Sequence, residues 1–286
     1  TLPSSTKMSK ELGGDLATLD GFREALNELV VSNRDWWLPR LGLHQSVRAQ
    51  EQLQTIYTLR YRKAILDPAN RALDSALVSL TAASPPERTA GYIDLIAQRI
   101  KVLQAALSGE LADAVPGTYL APNFSALQNS LPALALPDTA RSMGAGYFAY
   151  VDWQQDPRVL EQELAEDKQR IRAVLTREGI GLHWLTDWAN MQENLPEVAG
   201  RDFWGAELDA YKRVNLRIGK AFSPQGWEAI RQLLADIEAA NPGDEMMATR
   251  REEYKAVYRT QYFKAWQDFI VNFHQGAGAF TGREPR

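Results

Sequence analysis

The sequence contains no cysteine. That excludes disulfides, thiolate nucleophiles and cysteine-ligated metal centres. It leaves the redox compartment open, because cysteine-free chains occur in oxidising and reducing surroundings alike. Histidine is scarce: His44, His183 and His274 lie far apart, and none falls in an HxxxH or ExxH pattern. A zinc or di-iron site needs several ligands converging from helix faces, so neither metal ligands nor a cofactor are predicted. No apolar run approaches the roughly 18–20 residues that span a bilayer. Positive charge is not in excess either. Thirty-two Lys and Arg against 36 Asp and Glu give a formal net charge of −4, which argues against a nucleic-acid-binding surface. Neither a Walker-type phosphate loop nor a Gly-x-Ser-x-Gly nucleophile elbow occurs. The first residues show no initiator methionine and no signal-peptide apolar core, so the chain is expected to be a piece of something longer.

What is present reads as helix. The 286 residues, 45% hydrophobic and 24% charged, suffice for one large or two medium domains. Leu16, Leu19, Phe22, Leu26, Leu29 and Val30 recur at spacings of three and four, which predicts a helix over 15–33 bounded by Gly13-Gly14. A second helix is predicted over 44–66, and Asp67-Pro68 then reads as a fresh N-cap and N1. Further helices follow over 88–107, from Asp156-Pro157 to about Gly179, from Ser223-Pro224 to Asn241, and over 245–273. Between Val115 and Gly146, prolines and glycines interrupt every period while leucines remain frequent. Tyr147 to Val151 is the best strand candidate. The fold class expected is all-α, with about eight to ten helices. It divides into an N-terminal sub-bundle (1–115), an irregular Pro/Gly-rich connector packed on the body (116–146), and a C-terminal sub-bundle (147–286).

Half of the eight tryptophans fall between His183 and Trp227. Three short signatures punctuate that stretch: Trp184-Leu185-Thr186-Asp187-Trp188-Ala189-Asn190, Asp202-Phe203-Trp204-Gly205 and Ala221-Phe222-Ser223-Pro224-Gln225-Gly226. Large rings beside turn formers suggest short elements pinned onto a core, with Asp187, Asn190 and Asp202 as acceptors for indole N–H groups. Two other readings stay open. Asp152, Asp187 and Asp202 among aromatic residues are the ingredients of an all-helical glycan-processing enzyme, if two carboxyls meet about 5–10 Å apart. A glycan- or ligand-binding groove around Trp184 and Trp204 is the other. The basic clusters Arg60, Arg62, Lys63 and Arg251, Lys255, Arg259 read as solvated faces or as docking patches for an acidic partner.

The order of these signatures, with the aromatic-rich last helix, resembles the periplasmic region of the TssM family (IcmF/VasK), an inner-membrane core component of the bacterial type VI secretion system. Leu41-Gly42-Leu43-His44-Gln45 resembles the family's Gly-Leu-Tyr-Gln element, with His44 in the tyrosine's place. Gly91-Tyr92-Ile93-Asp94-Leu95 and Arg99-Ile100-Lys101-Val102-Leu103-Gln104 also resemble a family segment. Near the C-terminus Phe273-His274-Gln275-Gly276 stands where Phe-Pro-x-Gly is usual. The resemblance covers most of the chain from about Leu16, outside 115–146. It implies a non-catalytic periplasmic scaffold between the two membranes. It also implies partners: the lipoprotein TssJ, the inner-membrane protein TssL and further TssM copies. Membrane helices and a cytoplasmic domain would precede this piece, and a β-rich lipoprotein-binding domain would follow it.

Overall fold

The computed structural model describes residues 5–34, 44–111, 121–177, 181–204, 216–240 and 242–273. Expectations placed on 36–39, 41–43, 115–117, Gly179, Asn241 and His274 lie outside them. The fold is all-α, and among the described residues the only strands are two residues long. No described helix is long and apolar enough to cross a membrane. Contacts group the chain into two compact units: Thr1–Ala83 with Gly91–Val174, and Ser84–Ala90 with Leu175–Arg286.

The first unit contains α1 (Ser5–Arg34), α2 (His44–Tyr61), α3 (Asp67–Val78), most of α4 (Pro86–Ser108), α5 (Pro137–Asp152) and nearly all of α6 (Pro157–Leu175). Leu12, Leu16, Leu19 and Leu26 are buried along α1, and the helix runs straight through Gly13-Gly14, the predicted boundary. Tertiary packing of this leucine stripe outweighs the helix-breaking tendency of the glycine pair. Asp67-Pro68 does not start a new helix either. A π-helical turn, Arg62–Leu66, joins α2 to α3, and the Asp67 N–H reaches back to the Arg62 carbonyl. Pro68 has no N–H to donate and its ring would crowd the carbonyl four residues back. The wider π turn absorbs that misfit without ending the helix.

The Pro/Gly-rich segment belongs to the same unit. It forms 3₁₀ turns at Phe124–Leu127 and Pro132–Ala135, burying Phe124, Leu127, Leu131 and Leu134, and then α5. Tyr147 to Val151, the strand candidate, is helical within α5. Its glycines serve close packing, not loop formation. A Cβ on Gly146 would lie 2.7 Å from the Tyr61 ring, and one on Gly144 would lie 2.8 Å from the Pro122 carbonyl. Through that gap Tyr61 Oη donates to the Met143 carbonyl (2.7 Å) and Tyr57 Oη to the Gly146 carbonyl (3.3 Å). Tyr57 and Tyr61 stack at 5.9 Å, Tyr61 and Tyr150 at 5.7 Å, and Trp153 meets Tyr57 edge-on at 5.0 Å.

Burial raises the phenol pKa of Tyr57, Tyr61, Tyr147 and Tyr150 above the ordinary value of 10.0. A raised folded pKa means stability that is intact below about pH 10 and lost as pH climbs toward the folded values. In an alkaline titration followed by tyrosinate absorbance, these four should ionise only as the fold collapses, in a cooperative step. Smooth, independent ionisation of all ten tyrosines in the folded chain would contradict this packing.

The second unit holds α7 (Trp184–Met191), the single turn α8 (Arg201–Trp204), α9 (Pro224–Ala240) and α10 (Glu245–Asn272). A two-residue antiparallel ladder pairs β1 (Val198–Ala199) with β2 (Arg217–Ile218), with Val198 opposite Ile218. Leu216, Ile218 and Phe269 form a small core, closed by Val198, Phe222, Ala265, Trp266 and Phe273. The start signals read from sequence hold for α6 and α9. Asp156 Oδ1 accepts the Arg158 N–H (3.1 Å), and Ser223 Oγ accepts the Gly226 N–H (3.0 Å). Asp244 caps α10 by accepting from Met246 and Met247, just after Gly243 at φ +79°.

Candidate functional site

In the second unit the first and third signatures interlock. The α7 residue Asn190 sends Oδ1 to the Ala221 N–H at 2.9 Å. That same oxygen lies 2.6 Å from where a Cβ on Gly219 would stand, so a glycine is what lets the amide in. Lys220 Nζ donates to the Gln192 carbonyl (2.5 Å), tying the end of α7 to the 3₁₀ turn Lys220–Phe222. From α10, Tyr258 Oη donates to the Ala221 carbonyl (2.7 Å), and Tyr254 Oη shares a hydrogen bond with Thr186 (3.1 Å). Gly226, at the start of α9, sits hard under the turn: a Cβ there would be 1.9 Å from the Lys220 carbonyl oxygen.

The indole partners differ from the expected acids. Trp184 Nε1 donates to the Gly181 carbonyl (3.0 Å) and Trp266 Nε1 toward the Phe222 carbonyl (3.4 Å). Backbone carbonyls of adjoining turns take these N–H groups, and such carbonyls need donors of their own. Asp202 accepts the Ala199 N–H instead (2.9 Å), holding the single turn of α8 against β1. The side chain of Trp204 is not among those described. Asp187 and Asp202 are both exposed, on different helices, and Asp152 is an exposed residue ending α5 in the first unit. No described group of three or more His, Cys, Asp or Glu has the placement to hold a metal ion.

Sequence reasoning missed the most highly charged place in the interior. Arg99, in the middle of α4, has a side chain only 1% exposed. Its guanidinium reaches Asn70 Oδ1 (2.8 Å), Glu163 Oε1 (3.0 Å) and Asp167 Oδ2 (3.0 Å) and lies 5.4 Å from the centre of the Tyr147 ring. The Nε–Asp167 contact is an ion pair without hydrogen-bond alignment, which leaves both atoms otherwise unpartnered. Glu163 also accepts from Tyr147 Oη (2.8 Å) and Tyr150 Oη (3.1 Å). Arg170 closes the cluster, bonding Asp167 (2.7 Å) and, outward, Asp74 (2.7 Å). Glu166, one turn before Arg170 on α6, makes the longest of that arginine's ion pairs, at 3.8 Å.

Burial pushes the Asp167 carboxyl up, to about 6, against the pull of Arg99 and Arg170. Desolvation works against the Arg99 charge, yet Asp167 and its neighbours more than offset it and hold the guanidinium protonated. Such a cluster satisfies its own charges. The guanidinium and the Asp167 carboxylate are sealed from solvent, while Asn70, Glu163 and Arg170 line a small polar pocket on the outer side. What the cluster does chemically is fix where four helices meet. No protein-family model, curated protein or solved structure matches this chain.

Proposed function

We propose that this chain is a structural, non-catalytic periplasmic segment of a TssM-like protein. It acts there as a scaffold between the inner and outer membranes in a type VI secretion membrane complex, alongside TssJ, TssL and further TssM copies. One observation carries the reading. The signatures that bear the resemblance are used for packing: Asn190, Ala221, Ser223 and Gly226 bind one another's backbone. Residues so engaged hold elements together and present no open reactive group. The acids that would run glycan chemistry, Asp152, Asp187 and Asp202, are exposed residues on three different helices, and such hydrolysis would need two of them paired across one sugar.

The test is photocrosslinking in an assembled membrane complex, with probes scanned over 48–63 and 251–259. A scaffold gives crosslinks to another subunit at discrete positions, and the purified chain releases no soluble muropeptides from cell wall. Release that disappears in Asp187→Asn or Asp202→Asn would replace this reading with an enzymatic one.

A further inference from the structure

Beside the interlocked signatures, the start of α9 and the middle of α10 enclose a groove of ≈ 500 Å³. Its walls are Pro224, Trp227, Tyr258, Tyr262 and Phe263. Phe263 is 64% exposed, an unusual position for so large an apolar ring. Two cations share the lining, Lys255 and Arg259, four residues apart and so on one side of α10. No acid lines it. Lys255 pairs outward with Glu252 (2.9 Å), while Arg259 has no ion-pair partner among the described residues. A local excess of positive charge stands out on a chain of net charge −4.

The polar groups of the groove decide what it can take. Ser223 Oγ donates to the Lys220 carbonyl and accepts from Gly226, and Tyr258 Oη donates to the Ala221 carbonyl. Trp227 has one ring face covered by Tyr258, stacked at 4.6 Å. A sugar would want a free platform edged by carboxylates or amides, and this lining has neither. An apolar side chain flanked by carboxylates meets every remaining feature.

We infer that this groove docks an acidic, amphipathic segment of another protein. Its apolar side chains lie against Trp227, Tyr262 and Phe263, while two carboxylates one helical turn apart face Lys255 and Arg259. This is the helix-in-groove mode of peptide recognition, with charge setting partner choice. The inference goes beyond the scaffold reading and stands without it, since it rests on the groove alone.

Fluorescence anisotropy on the whole chain tests it with labelled helical peptides of about 14 residues, roughly four turns. One peptide carries Leu at helical spacing with Glu flanking, a second has Lys for each Glu, and a third Ser for each Leu. The acidic Leu peptide should bind, at least about tenfold more tightly than either control, and should weaken as salt rises. Arg259→Glu should weaken it about tenfold or more and raise affinity for the Lys peptide. Phe263→Ser should weaken both Leu peptides. Both residues are exposed, so the variants should keep the wild-type melting temperature, measured alongside. Equal binding of acidic and basic peptides, indifference to Arg259→Glu, or no binding of the acidic peptide would overturn the inference. Displacement of the peptide by soluble muropeptides would assign the groove to glycan and overturn it as well.

Discussion

Replacing Arg99 with methionine should destabilise the first unit by about 3–5 kcal/mol, the range for breaking a buried ion pair from one side. Methionine roughly fills the volume but leaves Glu163 and the inner oxygen of Asp167 without the Arg99 guanidinium. Tyr147 and Tyr150 still donate to Glu163, and Arg170 still holds one oxygen of Asp167, so the loss falls mainly on the Arg99-facing oxygens. The pH dependence gives the effect a signature. The Asp167 carboxyl is already raised in the fold, to about 6 from 3.8, so its contribution favours the folded state at low pH and is lost as pH rises through about 6. Deleting Arg99 removes the largest opposing pull and raises the carboxyl further. The variant's deficit should therefore widen from pH 5 to pH 7 in urea unfolding followed by circular dichroism. Adding Glu163→Gln and Asp167→Asn should recover much of the loss, because exchanging a whole buried ion cluster for neutral groups is often close to neutral. A single variant with wild-type stability at pH 7 would show that the cluster holds nothing.

The second large effect belongs to Gly226→Ala. The added methyl would stand 1.9 Å from the Lys220 carbonyl oxygen and 2.9 Å from Ala221 Cα, both backbone atoms. No side-chain rotation relieves that. The turn must lift off α9, and the Asn190, Tyr258 and Ser223 bonds to it stretch together. The cost should reach or exceed about 3 kcal/mol, the upper part of the range for overpacking. Thermal unfolding followed by tryptophan fluorescence would read it. Gly14→Ala is the matched control: it lies mid-helix with nothing within 4 Å, and should gain about 0.5–1 kcal/mol from helix propensity. Equal effects of the two substitutions would mean that the close approach at Gly226 is not real.

Helical periods and cap-plus-proline signals placed the start of α6 and both ends of α9 and α10 to within a residue or two, because local physics sets those ends, whereas α6 stops at Leu175, short of the expected Gly179. Asp67-Pro68 and Gly13-Gly14 carry the same local signals, but long-range packing overrode them, and no local rule registers that. Glycines 144 and 146 suggested loops, since a sequence cannot say that Tyr61 will need the space. The Arg99 cluster, by contrast, leaves a trace in the sequence. Arg99 follows Leu95 and Ile96 by four and three residues and precedes Leu103 by four, all fully buried. Glu163 and Asp167 likewise fall between Leu160 and Ile171 on the inner stripe of α6. Three charges fall in phase with an apolar face on two helices, and Arg170 brings their sum to zero. The groove residues were visible singly, as a basic stripe and an aromatic stripe on α10. Their meeting with Trp227 depends on how α9 crosses.

Apolar ridges alone would let one helix settle a turn higher or lower on another with modest penalty. A guanidinium gripped from α3 by Asn70 and from α6 by Glu163 and Asp167, with Tyr147 of α5 alongside, permits a single vertical alignment, as a key permits one seating in its lock. Under tension along its helices the first unit should therefore hold its register until it lets go as a whole, instead of creeping.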